Sequence, residues 1–141
     1  MVGEDSADDL FFLTRDLQTA GVENPVVIAE DGEEVIVWLE KALEEGALLP
    51  CIILLDVKMP RKDGFQALAW IQAEPRLRDI PVAMLTSSNQ PKDVRQAYEL
   101  GASTYLTKPI DSQLLGVIVH KARSLVPGWD KSAPHFPGLR E

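Results

Sequence analysis

Short, continuously apolar runs alternate along this chain with longer segments in which apolar residues recur every three or four positions. The first kind of segment predicts buried strands and the second predicts amphipathic helices, because side chains repeat every two residues in a strand and every 3.6 in a helix. Strands that alternate with helices are typical of parallel sheets with helical crossovers. The pattern therefore predicts an α/β fold with a doubly wound sheet.

The boundaries of these elements follow from the same pattern. The run at 26–29 is apolar and β-branched throughout, which predicts a strand buried on both faces. Other strands are predicted at 52–55, 81–85 and 104–106. Helices are predicted at 6–20, 33–45, 91–100 and 112–126, with a further helix that carries Phe65, Leu68 and Ile71 and ends before Pro75. In the last helix the expected core stripe is Leu114, Ile118, Ala122 and Leu125.

The composition narrows the class of protein. The chain has 141 residues, of which 45% are hydrophobic, enough for one domain with a sizeable core. Its formal charge of −8 argues against binding to nucleic acid or to an anionic membrane. Cys51 is the single cysteine, so no disulfide can form within the chain. With neither a signal peptide nor an apolar stretch of about 18 residues, the expected location is the cytoplasm.

Polar residues follow the apolar runs at several strand ends. Asp56 comes directly after 52–55, Thr86 follows the run at 81–85, and Lys108 follows the run at 104–106. An acidic pair, Glu4-Asp5, lies upstream. Because ligand sites in open α/β sheets form at the carboxyl ends of the strands, these side chains are expected to converge. The set predicts an aspartate that accepts a phosphoryl group, together with acidic metal ligands, a hydroxyl and a lysine.

The chemistry of phosphoryl transfer agrees with these residue types. The reaction needs positioning and neutralisation of charge more than covalent assistance. A phosphoryl group with a charge of about −1.5 to −2 cannot approach three carboxylates unless a cation screens them. The oxygen ligands favour Mg²⁺ and argue against zinc or copper, and Lys108 adds a movable positive charge.

Taken singly, these residues have plainer interpretations. A strand-end aspartate such as Asp56 is usually a turn or cap residue, and Glu4-Asp5 could be charges that favour a helix N-terminus. Thr86 alone is more often a cap, and Lys108 alone is more often a solvated surface residue. Asp63-Gly64 is interpreted as a plain turn into the following helix, with no catalytic role.

As an ordered set, the motifs resemble the receiver domain of two-component response regulators, over about residues 4–125. Within that family the chain is most similar to stand-alone receivers paired with phytochrome-type sensor kinases, through the stretches 98–102 and 105–109. The matching pieces are Glu4-Asp5-Ser6, Leu54-Leu55-Asp56-Val57-Lys58-Met59-Pro60 with Asp63-Gly64, Leu85-Thr86-Ser87-Ser88, and Ala102-Ser103-Thr104-Tyr105-Leu106-Thr107-Lys108-Pro109.

The resemblance implies a flavodoxin-like fold, with five parallel strands in the order 2-1-3-4-5 and helices on both faces. It also implies that Asp56 is the nucleophile that takes a phosphoryl group from a kinase phosphohistidine. Mg²⁺ would be ligated by Asp5, Asp56 and the backbone carbonyl of Lys58, and through water by Glu4.

The remaining site residues are assigned by the same resemblance. Thr86 and Lys108 would bind phosphoryl oxygens, and the small Ser87 would leave room for them. Tyr105 would swing inward when Thr86 moves. The side chains of Lys58 and Ser88 would lie at the rim and tune the lifetime of the phosphate, and Pro109 would shape the loop after the lysine.

The two ends of the chain depart from the family pattern. Only Met1-Val2-Gly3 precedes Glu4, so the first strand is expected to be nearly absent, leaving backbone groups on both neighbouring strands unpaired and Asp5 poorly anchored. Three explanations compete: the protein starts upstream of Met1, which we favour; a partner lends a strand; or the domain is marginally stable. The domain is expected to span 1–126. The Pro/Gly-rich tail at 127–141 is either disordered or an arm that places Trp129, Phe136 and Leu139 on a second subunit.

The predicted function is that of a stand-alone response regulator, phosphorylated by a sensor histidine kinase and switching a protein-interaction surface near its last two helices. A homodimer through those helices and the tail is expected, and no turnover of a metabolite. One alternative is a receiver-like module that is no longer phosphorylated. The other is a Mg²⁺-dependent aspartyl-phosphate phosphatase, which would carry a second aspartate at the position of Lys58.

Overall fold

The computed structural model describes residues 1–21, 26–87 and 90–124 of the chain. Within these residues strands and helices alternate along the chain. The strands are β1 (Val2–Gly3), β2 (Ile28–Ala29), β3 (Ile53–Asp56), β4 (Val82–Thr86) and β5 (Thr104–Thr107). The helices are α1 (Ala7–Thr19), α2 (Gly32–Glu45), α3 (Gly64–Ala73), α4 (Pro91–Glu99) and α5 (Ser112–Ser124).

The five strands form one parallel sheet in the order β2-β1-β3-β4-β5, which confirms the predicted fold. The register places Asp56 of β3 beside Leu85 of β4, and Thr86 of β4 beside Thr107 of β5. The polar residues that end these strands therefore lie at one edge of the sheet. None of the helices among the described residues is long and apolar enough to cross a membrane.

The first strand is only two residues long, as the sequence predicted, but it is paired on both sides. The Val2 N–H donates to the Val27 carbonyl at 2.8 Å, and the Leu54 N–H donates to the Met1 carbonyl at 2.9 Å. The Glu4 N–H extends the ladder by donating to the Ala29 carbonyl at 2.9 Å. The expectation of unpaired groups on both neighbouring strands is wrong at these positions, because residues 1–4 supply the pairing.

The expectation that the run at 26–29 is buried on both faces is also wrong. Val27 and Ala29 are buried in the core cluster on one face of the sheet, whereas Ile28 points to the other face and is 47% exposed. The strand lies at the edge of the sheet. Because β2 has a neighbouring strand on one side only, Ile28 is not fully covered.

Two apolar clusters cover the two faces of the sheet. One joins the inward residues of α2, α3 and α4 to the sheet, including Leu39, Leu68 and Ala97. The other joins α1 and α5 to the opposite face through Leu13, Leu17 and Leu115.

The core stripe of α5 differs from the predicted one. Leu115, Val119 and Ala122 are buried, whereas Leu114 is 45% exposed. Ile118 is partly buried against the cluster, and Leu125 lies outside the described residues. Two apolar stripes run side by side along this helix, so periodicity alone did not distinguish them. The packing of α5 against α1 decides which stripe faces inward.

The loop after β3 is held against the N-terminus of α2. Asp31 caps that helix by accepting a hydrogen bond from the Glu34 N–H at 2.8 Å, and its other oxygen pairs with Arg61 at 2.6 Å. The Gly32 N–H donates to the Lys62 carbonyl at 2.8 Å, and a Cβ on Gly32 would lie 2.3 Å from that oxygen. These contacts position the loop that begins directly after Asp56.

Candidate functional site

Asp56 ends β3 at the carboxyl edge of the sheet and is 7% exposed. The four residues before it, 52–55, are fully buried, so the strand is drawn through the core and its last side chain emerges where the core ends. One oxygen, Oδ1, accepts a hydrogen bond from the Lys58 N–H at 3.3 Å. The carboxylate is therefore held at the base of the edge rather than projecting into solvent.

Glu4 and Asp5 follow β1 and bring two more carboxylates to the same place. Glu4 is buried, and its Oε2 accepts hydrogen bonds from the backbone N–H groups of Asp5 at 3.1 Å and Ser6 at 3.3 Å. Asp5 is exposed. One oxygen from each of Glu4, Asp5 and Asp56 lies within 4.8 Å of the others. Three ionised carboxylates at this separation repel one another unless cations are present.

Lys108 supplies positive charge to this cluster from the end of β5. Its Nζ donates to Glu4 Oε1 at 2.5 Å, to Asp9 Oδ2 at 2.8 Å and to Asp56 Oδ2 at 3.1 Å. The three protons of the ammonium group thus meet three carboxylates. The Lys108 N–H donates to the Thr86 carbonyl at 2.7 Å, and the Lys108–Pro109 peptide bond is cis.

These contacts shift two pKa values. Burial raises the pKa of Glu4 to about 7, helped by the neighbouring Asp56 carboxylate and opposed by Lys108. Partial burial acts to lower the pKa of Lys108, but its hydrogen bonds to Asp9 and Glu4 and the charge of Asp56 raise it overall. Lys108 is therefore protonated at neutral pH. A divalent cation beside Glu4 would favour the ionised carboxylate.

The other predicted site residues surround a cavity of about 620 Å³. Thr86 ends β4 and is 1% exposed, whereas Lys58 and Ser87 are exposed at the rim. The walls are formed by Asp5, Asp9, Phe12, Asp56, Lys58, Thr86, Ser87, Lys108 and Pro109. All of these except Asp9 and Phe12 were predicted site residues, so the structure brings the predicted ones to one cavity, and their roles stay predictions.

Tyr105 lies on β5 opposite Met84 and is partly buried against the core cluster that α2, α3 and α4 cover. Ser88, predicted at the rim, lies outside the described residues.

The response regulator receiver domain family matches residues 1–120 of this chain. The chain belongs to this family. A curated relative is the response regulator Rcp1 of Synechocystis sp., which is 39% identical over 106 residues, covering 74% of this chain and 72% of Rcp1. The protein is thus a receiver of the two-component signalling type.

Solved structures of other response regulators share the fold. The Mn²⁺-bound form of Rcp1 has a TM-score of 0.70 and 33% identity, covering 94% of this chain and 96% of that one. Phosphorylated RcpA, a cyanobacterial phytochrome response regulator, has a TM-score of 0.71 and 31% identity, covering 94% and 93%. The bacteriophytochrome response regulator RtBRR has a TM-score of 0.74 and 32% identity, covering 98% and 83%.

Sequence reasoning missed the contact of Asp9 with the site of this receiver. Ser6 caps α1, and its hydroxyl oxygen accepts a hydrogen bond from the Asp9 N–H at 3.3 Å. The side chain of Asp9 also reaches Lys108, 99 positions away in the chain. The usable signal was its place in the first turn of the helix that directly follows the acidic pair, since that turn starts beside the strand ends.

Asp63-Gly64 forms the predicted turn and also contacts the site. Asp63 caps α3 through a reciprocal pair of hydrogen bonds with Gln66, as expected for a turn into a helix. Gly64 packs directly on the backbone of Asp56. The turn therefore packs against the backbone from which the Asp56 carboxylate projects.

The donors of this receiver fit a hard divalent cation. The clustered ligand atoms of Glu4, Asp5 and Asp56 are carboxylate oxygens, and Lys58 lines the same cavity. Mg²⁺ and Mn²⁺ prefer such oxygen donors, whereas zinc and copper favour nitrogen and sulfur. The residues present can therefore hold the kind of ion that the solved Rcp1 structure contains.

Proposed function

We propose that this receiver accepts a phosphoryl group on Asp56 from the phosphohistidine of a sensor histidine kinase. A carboxylate oxygen of Asp56 forms a bond to phosphorus while the bond from phosphorus to the imidazole nitrogen breaks. The nitrogen keeps the electron pair and takes up a proton from solvent. The observation that carries the proposal is the position of Asp56 at the base of a cavity, between the acidic pair and the ammonium group of Lys108.

The acidic residues near Asp56 and the backbone of Lys58 are the proposed metal ligands. Asp5, Asp56 and the backbone carbonyl of Lys58 bind Mg²⁺ directly, and Glu4 does so through water. When bound, Mg²⁺ neutralises the carboxylates and the phosphoryl oxygens. The burial of Glu4 behind Asp56 and the exposure of Asp5 support this division of direct and water-mediated ligands.

Thr86, Ser87 and Lys108 bind the phosphoryl oxygens in this proposal. All three line the cavity into which Asp56 opens. Among the contacts of Lys108, the one with Asp56 is the longest, at 3.1 Å. It is the natural contact to be transferred to a phosphoryl oxygen, because that oxygen arrives on the Asp56 carboxylate itself. The side chains of Lys58 and Ser88 tune the lifetime of the phosphate, and Pro109 shapes the loop after the lysine.

The switch runs from Thr86 to Tyr105. Movement of the Thr86 hydroxyl towards a phosphoryl oxygen leaves space into which Tyr105 swings, and the surface formed by α4, β5 and α5 changes. The adjacency of β4 and β5, with Met84 opposite Tyr105 and Thr86 opposite Thr107, supports this coupling.

The proposed kinase partner is of the phytochrome type, supported by the similarity to RcpA and RtBRR. The proposed receiver spans 1–126 and acts in the cytoplasm as a regulator rather than as an enzyme with a metabolite substrate. The net charge of −8 disfavours nucleic acid and anionic membranes as partners.

A homodimer forms through the last two helices and the tail at 127–141. Exposed apolar side chains on α4 and α5 support the dimer: Tyr98 is 50% exposed, Leu114 45% and Val117 63%. The tail itself lies outside the described residues. Truncation after Val126 is expected to yield monomers if the tail is an arm, and an unchanged sedimentation profile would refute that role.

The decisive experiment is intact-mass spectrometry after incubation with acetyl phosphate and Mg²⁺, with Asp56→Asn as control. A single phosphoryl adduct on the wild type alone supports the proposal. Labelling of Asp56→Asn would refute the assignment of the acceptor. A folded wild type that binds Mg²⁺ but gains an adduct only from a kinase would restrict the donor to phosphohistidine. Failure to bind Mg²⁺ and to gain any adduct would favour an interaction module that is no longer phosphorylated.

A further inference from the structure

Asp9 contacts Lys108 and lines the cavity of the site, although it belongs to neither the acidic pair nor a strand end. Its Oδ2 accepts a hydrogen bond from Lys108 Nζ at 2.8 Å, shorter than the 3.1 Å contact between Nζ and Asp56. Asp9 also lines the cavity into which Asp56 opens. It is therefore close enough to affect any anion that uses Lys108.

The ammonium group of Lys108 has three protons, and Glu4, Asp9 and Asp56 accept them. A phosphoryl oxygen that approaches Lys108 must compete with these carboxylates. Glu4 holds its contact from a buried position, with a side chain 1% exposed. Asp9, with a side chain 43% exposed, forms the contact that solvent screens most.

The negative charge of Asp9 also opposes the binding of a phosphoryl oxygen to Lys108. It neutralises part of the positive charge that Lys108 offers, and it repels an incoming dianion in the same cavity. Both effects weaken the binding of a phosphoryl group. Neither effect requires Asp9 to touch the metal or the phosphorus.

We infer that Asp9 is a positioning residue that restrains the site: by sharing Lys108 it lowers the affinity of the receiver for the phosphoryl group. The inference rests on the proposed function and adds a residue that sets how readily the site becomes occupied. A receiver without this carboxylate would be occupied at a lower concentration of phosphoryl donor.

The test uses beryllofluoride, a mimic of the phosphoryl group, titrated calorimetrically into the full chain at saturating Mg²⁺. Asp9→Asn removes the charge, and Asp9→Glu keeps a carboxylate. Asp8→Asn is the matched control, because Asp8 is an exposed residue of the same first helical turn and gives the same change in net charge. The dissociation constant for Mg²⁺ alone is measured on every variant.

Asp9→Asn is expected to bind beryllofluoride about two- to fivefold more tightly than the wild type, the range for a partly exposed ion pair. Asp9→Glu and Asp8→Asn are expected to stay near the wild type. Mg²⁺ affinity is expected to be unchanged or weaker in Asp9→Asn, because Lys108 is then freer to compete for Glu4 and Asp56. A purely structural effect would instead weaken the binding of both ligands.

Equal beryllofluoride affinities of Asp9→Asn and Asp8→Asn, or weaker binding by Asp9→Asn, would overturn the inference and leave the proposed function standing. The acetyl phosphate experiment separates the two. If the wild type gains no adduct on Asp56 from acetyl phosphate or from a kinase, both the proposed function and the inference are wrong.

Discussion

Gly64 lies directly against the main chain of Asp56: a Cβ placed on Gly64 would come within 2.3 Å of the Asp56 carbonyl oxygen. The Gly64 N–H also donates to the Val57 carbonyl at 2.9 Å. The first turn of α3 therefore packs on the end of β3 with no room for a side chain. This contact fixes the backbone from which the proposed acceptor projects.

Gly64→Ala is expected to destabilise the receiver by about 1–3 kcal/mol, because the added methyl group overlaps backbone atoms that cannot move aside as a side chain can. Mg²⁺ affinity should fall as well, since Asp56 is displaced. Urea unfolding and Mg²⁺ titration measure both effects. Gly116→Ala is the control: its Cβ would meet Ala20 at 3.6 Å, an ordinary contact, so this helical substitution should stabilise by roughly 0.5–1 kcal/mol. Similar results for the two variants would contradict the argument.

Lys108→Ala is expected to destabilise the metal-free protein by about 1–3 kcal/mol, because Glu4 remains buried beside Asp56 without its cation. Mg²⁺ should restore much of this stability, since a bound cation replaces the lost charge and stabilises the native state by mass action. Thermal unfolding with and without Mg²⁺ tests the prediction. Lys92→Ala, at an exposed position of α4, should change stability by less than about 0.5 kcal/mol. A Lys108→Ala variant that is destabilised but insensitive to Mg²⁺ would argue against a metal site here.

The lowered pKa of Asp31 predicts that the free energy of unfolding depends on pH. Burial acts to raise its pKa, but hydrogen bonds from the Glu34 N–H and from Arg61 lower the pKa of this carboxyl below its ordinary value of 3.8. A carboxyl with a lowered folded-state pKa stabilises the protein above its unfolded-state pKa, and this contribution is lost as the pH falls through the folded-state pKa. Asp31→Asn keeps a capping side chain but loses the charge, so it should be less stable than the wild type by about 0.5–1 kcal/mol at neutral pH, and the difference should shrink below pH 3.8. Urea unfolding from neutral pH to below pH 3.8 measures the difference in free energy of unfolding between the two proteins. A difference independent of pH would exclude the ionised carboxylate as its cause.

The proposed dimer surface can be tested on α5. Leu114 and Val117 are one helical turn apart and exposed, so replacing both with glutamate should separate a dimer formed through this face, by burying like charges at the contact. Sedimentation velocity gives the oligomeric state. Val37→Glu on α2 is the control, because Val37 is 54% exposed on a helix that covers the other face of the sheet. Dimers that survive the double substitution would place the interface elsewhere.

The strand-end positions of the site were predictable because their signals are local. Four consecutive aliphatic residues before Asp56 indicate a buried strand, and a parallel strand places the following residue at the carboxyl edge of the sheet. The same reasoning located Thr86 and Lys108. The resemblance of these motifs to a family then supplied the strand order.

The errors arose where a local pattern allows two outcomes. The apolar run at 26–29 predicts a strand, but only the position of β2 at the sheet edge leaves Ile28 exposed. The last helix carries two adjacent apolar stripes, and its packing against α1 selects the one with Leu115. The two residues of β1 are too few to predict a strand in isolation, yet the two strands that flank β1 hold it in place.

By itself, the sequence determined the alternation of elements, the residues that end each strand and the oxygen chemistry of the site, because each depends on neighbours within a few positions. Tertiary structure decided that Asp9 shares Lys108 across 99 positions and that Gly64 rests on Asp56. Contacts of this kind depend on how far each helix is rotated and shifted against the sheet. That rotation is set by the packing of both core clusters together.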